Sequence, residues 1–243
     1  MYEREIPMSE ILCTICARGG SKGVPNKNIR SVGDKPLVGH AVSDAREWGQ
    51  CDDVVVSTDS EEIASVAEDY GAQVPFERPS HLASNEAAKL PVIQHALEWM
   101  ESNRGTQYDY VVDIDATTPL RTPEDIEKCF SAVSNDGKAT NAYTVCEADK
   151  NPYFNMVELN NEGYATLSKD LDEAVVRRQE TPVVYEMNAA VYVYEREFLS
   201  NTTSIHGNHT RVSVMPQERS VDIDTEFDLR FVEFLVEHEG VYS

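Results

Sequence analysis

Basic residues are scarce in this chain of 243: 21 Lys and Arg stand against 43 Asp and Glu, a formal net charge of −22. A field of that sign repels duplex nucleic acid and anionic membranes, so neither is expected as a partner. The acid is spread along the chain as a solvated face. Such a face suits high salt, where screening relieves self-repulsion. Cysteine is sparse as well. Five residues at irregular spacing argue against a disulfide framework and for a reducing, cytoplasmic setting. Cys13 and Cys16 spell C-x-x-C, but inside a strand they point to opposite faces, which favours ordinary buried cysteine over redox or zinc chemistry. No apolar run approaches the ~20 residues of a bilayer span. The acidic opening "MYEREIPMSE" lacks the apolar core of a signal peptide. The six histidines show no metal spacing, and no Ser, Cys or His grouping suggests nucleophilic catalysis.

What the chain does contain, 41% hydrophobic residues, is enough for one large α/β domain with an appended piece. The first half alternates β-rich and amphipathic segments. "ILCTICA" reads as a strand and "PLVGHAVSDAREWG" as a helix stopped by Gly49. "DVVVSTD" follows as a strand, "SEEIASVAEDYG" as a helix capped by Ser60, and "AQVPF" as a short third strand. Next come the helix "AAKLPVIQHALEWMES", the strand "YVVDIDA", the helix "TPEDIEKCFSAV" and the strand "ATNAYTVCEA". This order predicts a mostly parallel sheet with helices on both faces. Residues 151–186 turn polar, Asn-rich and Pro-containing, which predicts an excursion from the sheet, a small β arm. The sheet resumes at "AAVYVYE", and "RSVDIDTEFDLRFVEFLVEH" reads as a short strand, a turn and a closing helix.

In an open α/β sheet, ligands bind outside the carboxyl ends of the strands. Strand one ends in "CARGGSKGVPNKN", which gathers glycines with Arg18, Lys22 and Lys27. It has neither the P-loop order nor G-x-G-x-x-G, so a Rossmann dehydrogenase is poorly supported. Glycine-turn amides and nearby cations still suit a polyphosphate, and in so acidic a chain their clustering favours that over a solvated turn. "DID" at 113–115 puts two carboxylates on one strand face, where burial demands a cation or a basic partner. The lesser reading is that Asp115 lies just past the strand and caps the turn before Pro119. "DIDT" at 222–225 offers a second acidic pair for a hard cation, although Asp224 or Thr225 could simply cap the last helix.

These residues resemble the acylneuraminate cytidylyltransferases, enzymes that activate sialic acids as CMP-sugars. "ARGGSKGVPNKN" is similar to the family's signature loop. "VSTDSEEIA", "RPSHLASNEAAKLPV", "DATTPLRTPEDI" and "SVDIDTEFDL" follow in the family's order, so the resemblance spans residues 10–237. "AAKLPVIQHALEW" and "DIDATTPLR" resemble most the branch acting on legionaminic acid.

The resemblance implies a Rossmann-like nucleotidyltransferase fold in a single domain, a small dimerisation arm, a homodimer, and CTP with Mg2+. By position it places Arg18, Ser21 and Asn28 at the nucleotide, with Lys22 and Lys27 on the triphosphate. Arg78, Ala87 and Lys89 would line the base and ribose pocket, Arg178 would be catalytic together with Lys22 and Lys27, and Asp222 and Asp224 would hold the metal. Asp115 departs from the Gln usual in sialic acid enzymes at a sugar contact. Lys89 replaces a small hydroxyl residue, and Glu186 stands where some relatives carry Arg. These departures bear on the choice of sugar. The expected reaction joins CTP to a nonulosonic acid, with legionaminic acid first. N-acetylneuraminic acid or another keto-deoxy sugar acid is the alternative, and a non-catalytic nucleotide-binding relative the distant one.

Overall fold

The computed structural model describes residues 9–84, 86–171 and 177–238. β1 (Ile11–Cys16) is buried along almost its whole length, as a parallel strand covered on both faces requires. A two-strand ribbon, β2 (Ser31–Val32) and β3 (Lys35–Pro36), feeds α1 (Leu37–Trp48), which stops at Gly49 with φ 72°. β4 (Asp53–Ser57) leads into α2 (Glu61–Asp69), and there Ser60 Oγ accepts from Ile63 N at 3.4 Å. The expected third strand does not form. "AQVPF" makes only an isolated bridge, Val55 with Gln73, and the next comes just past it, Thr58 with Glu77, because Pro75 between them has no N–H to donate.

α3 (Lys89–Arg104), β5 (Tyr110–Ile114) and α4 (Pro123–Ser134) come next, and a Thr122–Asp125 capping box opens α4. β6 (Asn141–Glu147) runs into the arm, whose hairpin pairs β7 (Val157–Leu159) with β8 (Ala165–Leu167). Residues 172–176 of the expected arm lie outside the described residues. The long β9 (Tyr185–Glu195) takes in the last two residues of the expected arm. α5 (Arg196–Asn201), β10 (Thr210–Val214) and α6 (Glu226–His238) complete the chain. β10 was not anticipated. The strand expected in "RSVDID" is absent: residues 220–224 have no regular structure, after a 3-10 turn at Gln217–Arg219.

The central sheet has the order β10-β6-β9-β5-β1-β4. β9 alone runs antiparallel, between β5 and β6, so the sheet is mostly parallel as expected. Each face has its own core. Val38, Val42, Ile63, Ile126 and Phe130 from α1, α2 and α4 fill one. Ile93, Leu97, Met100 and Leu199 from α3 and α5 fill the other. Cys13 lies in the first core and Cys16 packs against the second, the split across the sheet that alternation requires. Among the described residues no helix is long and apolar enough to cross a membrane.

Candidate active site

The loop leaving β1 is held from both sides. Ala17 N donates to Ser57 O at 3.1 Å and Gly19 N to Asp59 Oδ1 at 2.8 Å, which fixes its start to the end of β4. The buried Asn28 folds its far end back, donating from Nδ2 to Arg18 O at 2.8 Å. Gly20 (φ 67°) and Asn26 (φ 54°) supply the left-handed turns between. Gly23 meets a different demand. A Cβ there would lie 2.0 Å from the Asp224 carbonyl oxygen, so the loop backbone presses directly on the acidic segment. Lys27 Nζ crosses the same seam to Ile223 O at 2.6 Å and Asp224 Oδ1 at 3.1 Å. Lys22 is exposed and Ser21 half-buried on the loop. The basic loop and "DIDT" are thus one wall, although 196 residues separate Lys27 from Ile223.

The alternatives at "DIDT" divide between its residues. Thr225 caps α6, exchanging bonds with Asp228: Thr225 N to Asp228 Oδ2 at 2.7 Å, and Asp228 N to Thr225 Oγ1 at 3.3 Å. Asp224 is left exposed and takes Lys27.

The "DID" pair finds a basic partner. Lys89, the first residue of α3, places Nζ 2.7 Å from Asp113 Oδ2 and 2.7 Å from Asp115 Oδ2. It also lies 4.8 Å from the centroid of the Tyr192 ring. Asp113 is fully buried and accepts from Thr14 Oγ1 at 2.8 Å. Asp115 also makes the turn that was its other reading, accepting from Thr117 N at 3.0 Å and Thr117 Oγ1 at 2.9 Å. Burial opposes ionisation of Asp115, but the Lys89 charge and these donors outweigh it and hold the carboxyl down at about 2. Burial likewise works against the Lys89 charge, and the two carboxylates overcome it and raise its pKa.

Asp222 is the opposite case. Burial, then the charge of Asp115, lift its carboxyl to about 6, and Asp224 adds to the rise. Four carboxylates here answer to two lysines, so negative charge is left over. No set of three His, Cys, Asp or Glu among the described residues forms a complete metal cage. A pair such as Asp222 and Asp224 still fits Mg2+, which takes one or two carboxylates and completes its shell with water and phosphate oxygens.

Other expected residues sit differently. Arg78 is buried beneath the site, where Nε donates to Ser57 Oγ at 3.1 Å and Nη2 to Ser57 O, so its guanidinium braces the end of β4. Ala87 lies in the turn before α3, its N–H on Ser84 O at 3.3 Å. Arg178 stands apart on the arm, exposed, and donates to Ala148 O at 2.9 Å. Glu186 is exposed at the start of β9. Sequence reasoning missed the support under the 115–121 turn. Fully buried Arg121 donates from Nη1 to Asp115 O and to Thr118 O (2.8 Å), and pairs through Nη2 with Asp44 at 3.1 Å.

The carboxyl edge of a mostly parallel sheet, here with a glycine-rich basic loop facing acidic groups, is the place where such a fold binds a nucleotide. The cytidylyltransferase family profile matches residues 12–242. "Post-translational flagellin modification protein B" of Campylobacter coli is 42% identical over 236 residues, covering 97% of this chain and 99% of that protein. The CMP-N,N'-diacetyllegionaminic acid synthase of Campylobacter jejuni is 44% identical over 229 residues, covering 94% and 96%. A CMP:2-keto-3-deoxy-manno-octonic acid synthetase, solved in complex with CTP, shares the fold with a TM-score of 0.68 at 18% identity, over 95% of this chain and 100% of that one. The chain belongs to the cytidylyltransferase family and is an enzyme of that class, as its motifs had indicated.

Proposed function

We propose that this enzyme activates a nonulosonic acid with CTP, giving the CMP-sugar and pyrophosphate, and that N,N'-diacetyllegionaminic acid is its sugar. The observation that carries the reading is the seam where Gly23 and Lys27 meet Asp224, with the Lys89–Asp115 pair beside it. In this reading the loop amides, Arg18, Ser21, Lys22 and Asn28 hold the nucleotide. Lys27 offsets phosphate charge, and Arg78 and Ala87 shape the floor under the base.

The anomeric hydroxyl of the sugar attacks the α-phosphorus. A new P–O bond forms as the bond to the β-phosphate bridging oxygen breaks, and pyrophosphate leaves with the electron pair. The hydroxyl proton passes to the acidic cluster. Such chemistry asks the protein mainly for positioning and charge stabilisation. Asp222 and Asp224 would hold Mg2+, which when bound offsets the charge of the phosphate oxygens.

Asp115, already committed to Lys89, presents a polar face suited to N–H and hydroxyl groups of a bis-acylamino sugar. A site that reads polar groups by hydrogen bonds rejects analogues that leave its buried groups unpaired. The reading includes a homodimer. Exposed Met156, Val157, Leu159 and Tyr164 on the arm have no cover within the chain's described residues, and Arg178 on the same arm would then reach a site from it. Pyrophosphate release, measured with four nucleotides against legionaminic, pseudaminic and N-acetylneuraminic acids, tests the assignment. Turnover confined to CTP and fastest with legionaminic acid is expected. Preference for another sugar overturns the substrate, and inactivity with all despite CTP binding overturns the enzyme reading.

A further inference from the structure

Thr117 joins the two halves of the site. Its Oγ1 lies within hydrogen-bond distance of Asp115 Oδ1 (2.9 Å) and of Asp222 Oδ1, and its carbonyl accepts from Ile223 N at 2.9 Å. A hydroxyl has one hydrogen to give. Two carboxylate oxygens compete for it, so while both are ionised one of them faces an oxygen lone pair with no proton between. Neither Asp115 nor Asp222 can be fully satisfied by Thr117 while both are charged and bare.

We propose that Thr117 is a positioning residue that couples occupation of the cation site to the sugar site, by giving its single hydrogen to whichever carboxylate is not otherwise neutralised. The inference rests on the reading above that places Mg2+ at Asp222 and the sugar beside Asp115. A cation on Asp222 removes that carboxylate's need for a donor, and the Thr117 hydrogen turns to Asp115. Asp115 then carries three donors, Lys89 Nζ, Thr117 N and Thr117 Oγ1, and is fixed in the orientation the sugar meets. Coupling of this kind is reciprocal, so the sugar must also tighten the cation. The Ile223 N bond to the Thr117 carbonyl is backbone to backbone and survives loss of the side chain, so the hydroxyl can be removed without unfastening the segment.

The test is calorimetric titration of Mg2+ into the full chain loaded with α,β-methylene-CTP, with and without N,N'-diacetyllegionaminic acid. In wild type the sugar should tighten Mg2+ by about fivefold or more, the usual range for coupled sites. Thr117→Val and Thr117→Ala should bring that ratio close to one, and Thr117→Ser, which keeps the hydroxyl, should restore it. A ratio near one in wild type, or a ratio unchanged in both hydroxyl-free variants, overturns the inference. Asp222→Asn separates it from its foundation. Mg2+ affinity unmoved by that change overturns the metal reading and this inference together. Weakened affinity with coupling intact in Thr117→Val overturns the inference alone.

Discussion

Gly23 and Asp224 touch through their backbones: a methyl group on the first would lie 2.0 Å from the carbonyl oxygen of the second. The contact sets how far the basic loop stands from the acidic segment. Gly23→Ala is therefore predicted to force the two apart. Since a displacement of about 1 Å at a reacting centre costs on the order of 100-fold in rate, kcat/KM for CTP should fall by roughly that factor. Steady-state kinetics check this, and near-normal turnover would mean that the seam does not position the nucleotide.

Lys89 answers for two carboxylates, one of them fully buried. Lys89→Met leaves that charge without a partner and should destabilise the fold by about 3–5 kcal/mol. Adding Asp113→Asn should recover a large part of the loss, because the charge that lacked a partner is gone. Urea unfolding of the two single variants and the double variant gives the cycle. Additive losses would show that Lys89 acts elsewhere.

Stability should fall as pH rises from about 4 to 6. Burial pushes Asp44 up to about 6 against the pull of Arg121, and Asp222 rises to the same value. An unfolded Asp titrates near 3.9, so in that window the folded state holds protons that the unfolded state has released, and the slope is negative. For Asp44 the shift amounts to roughly 2–3 kcal/mol, lost as pH passes through 6. Asp115 acts in the opposite sense: its contribution is present above about 4 and disappears as pH falls through 2. Denaturation midpoints from pH 3.5 to 7.5 should show the descent, with Asp44→Asn flattening it. Buried His40 and half-buried His95, whose pKa values burial lowers, add a rising contribution in the same range. The wild-type minus Asp44→Asn difference is therefore the readout, and a difference that does not fall between about pH 4 and 6 would contradict the assignment.

Ala189 holds φ 57° where β9 slips register against β6, a conformation that costs a non-glycine residue about 1 kcal/mol or more. Ala189→Gly should therefore raise stability by about 0.5 kcal/mol, the strain relieved less glycine's extra freedom when unfolded. A thermal melt decides the sign, and a lowered midpoint would show that the methyl's packing outweighs the strain.

Light scattering should find a dimer in solution. Leu159 and Tyr164, 70% and 67% exposed on the arm, would lie within its interface. Leu159→Asp with Tyr164→Asp should give monomers that keep their helical signal. A monomeric wild type at assay concentration removes the dimer from the reading.

Much of this arrangement was legible in the sequence. Unbroken apolar runs betrayed β1 and β4, because both faces of a parallel strand are covered. The alternation in "DID" showed that a positive group had to stand nearby, but not that Lys89 would supply it. β10 escaped notice because its pattern is inverted: Val212 and Val214 face outward while Ser213 is buried. The Thr117–Asp222 and Arg121–Asp44 contacts left no local trace. They join residues 105 and 77 positions apart, and only the folded topology brings them together.

The reversed direction of β9 has a practical consequence for how the molecule can be rebuilt. β6 delivers the chain to the arm and β9 takes it back one strand away, where Glu147 pairs with Tyr185 and Ala148 N reaches Val184 O at 2.9 Å. The neck is closed by the sheet's own ladder, whatever lies beyond it. A segment of different length or origin can be spliced between those two strands, and doubling its length costs only about 0.6 kcal/mol in closure entropy. Lys89 and Asp115 hang from α3 and β5, outside the splice. The arm is thus a port through which the proposed dimer can be redesigned while the residues proposed to read the sugar stay where they are.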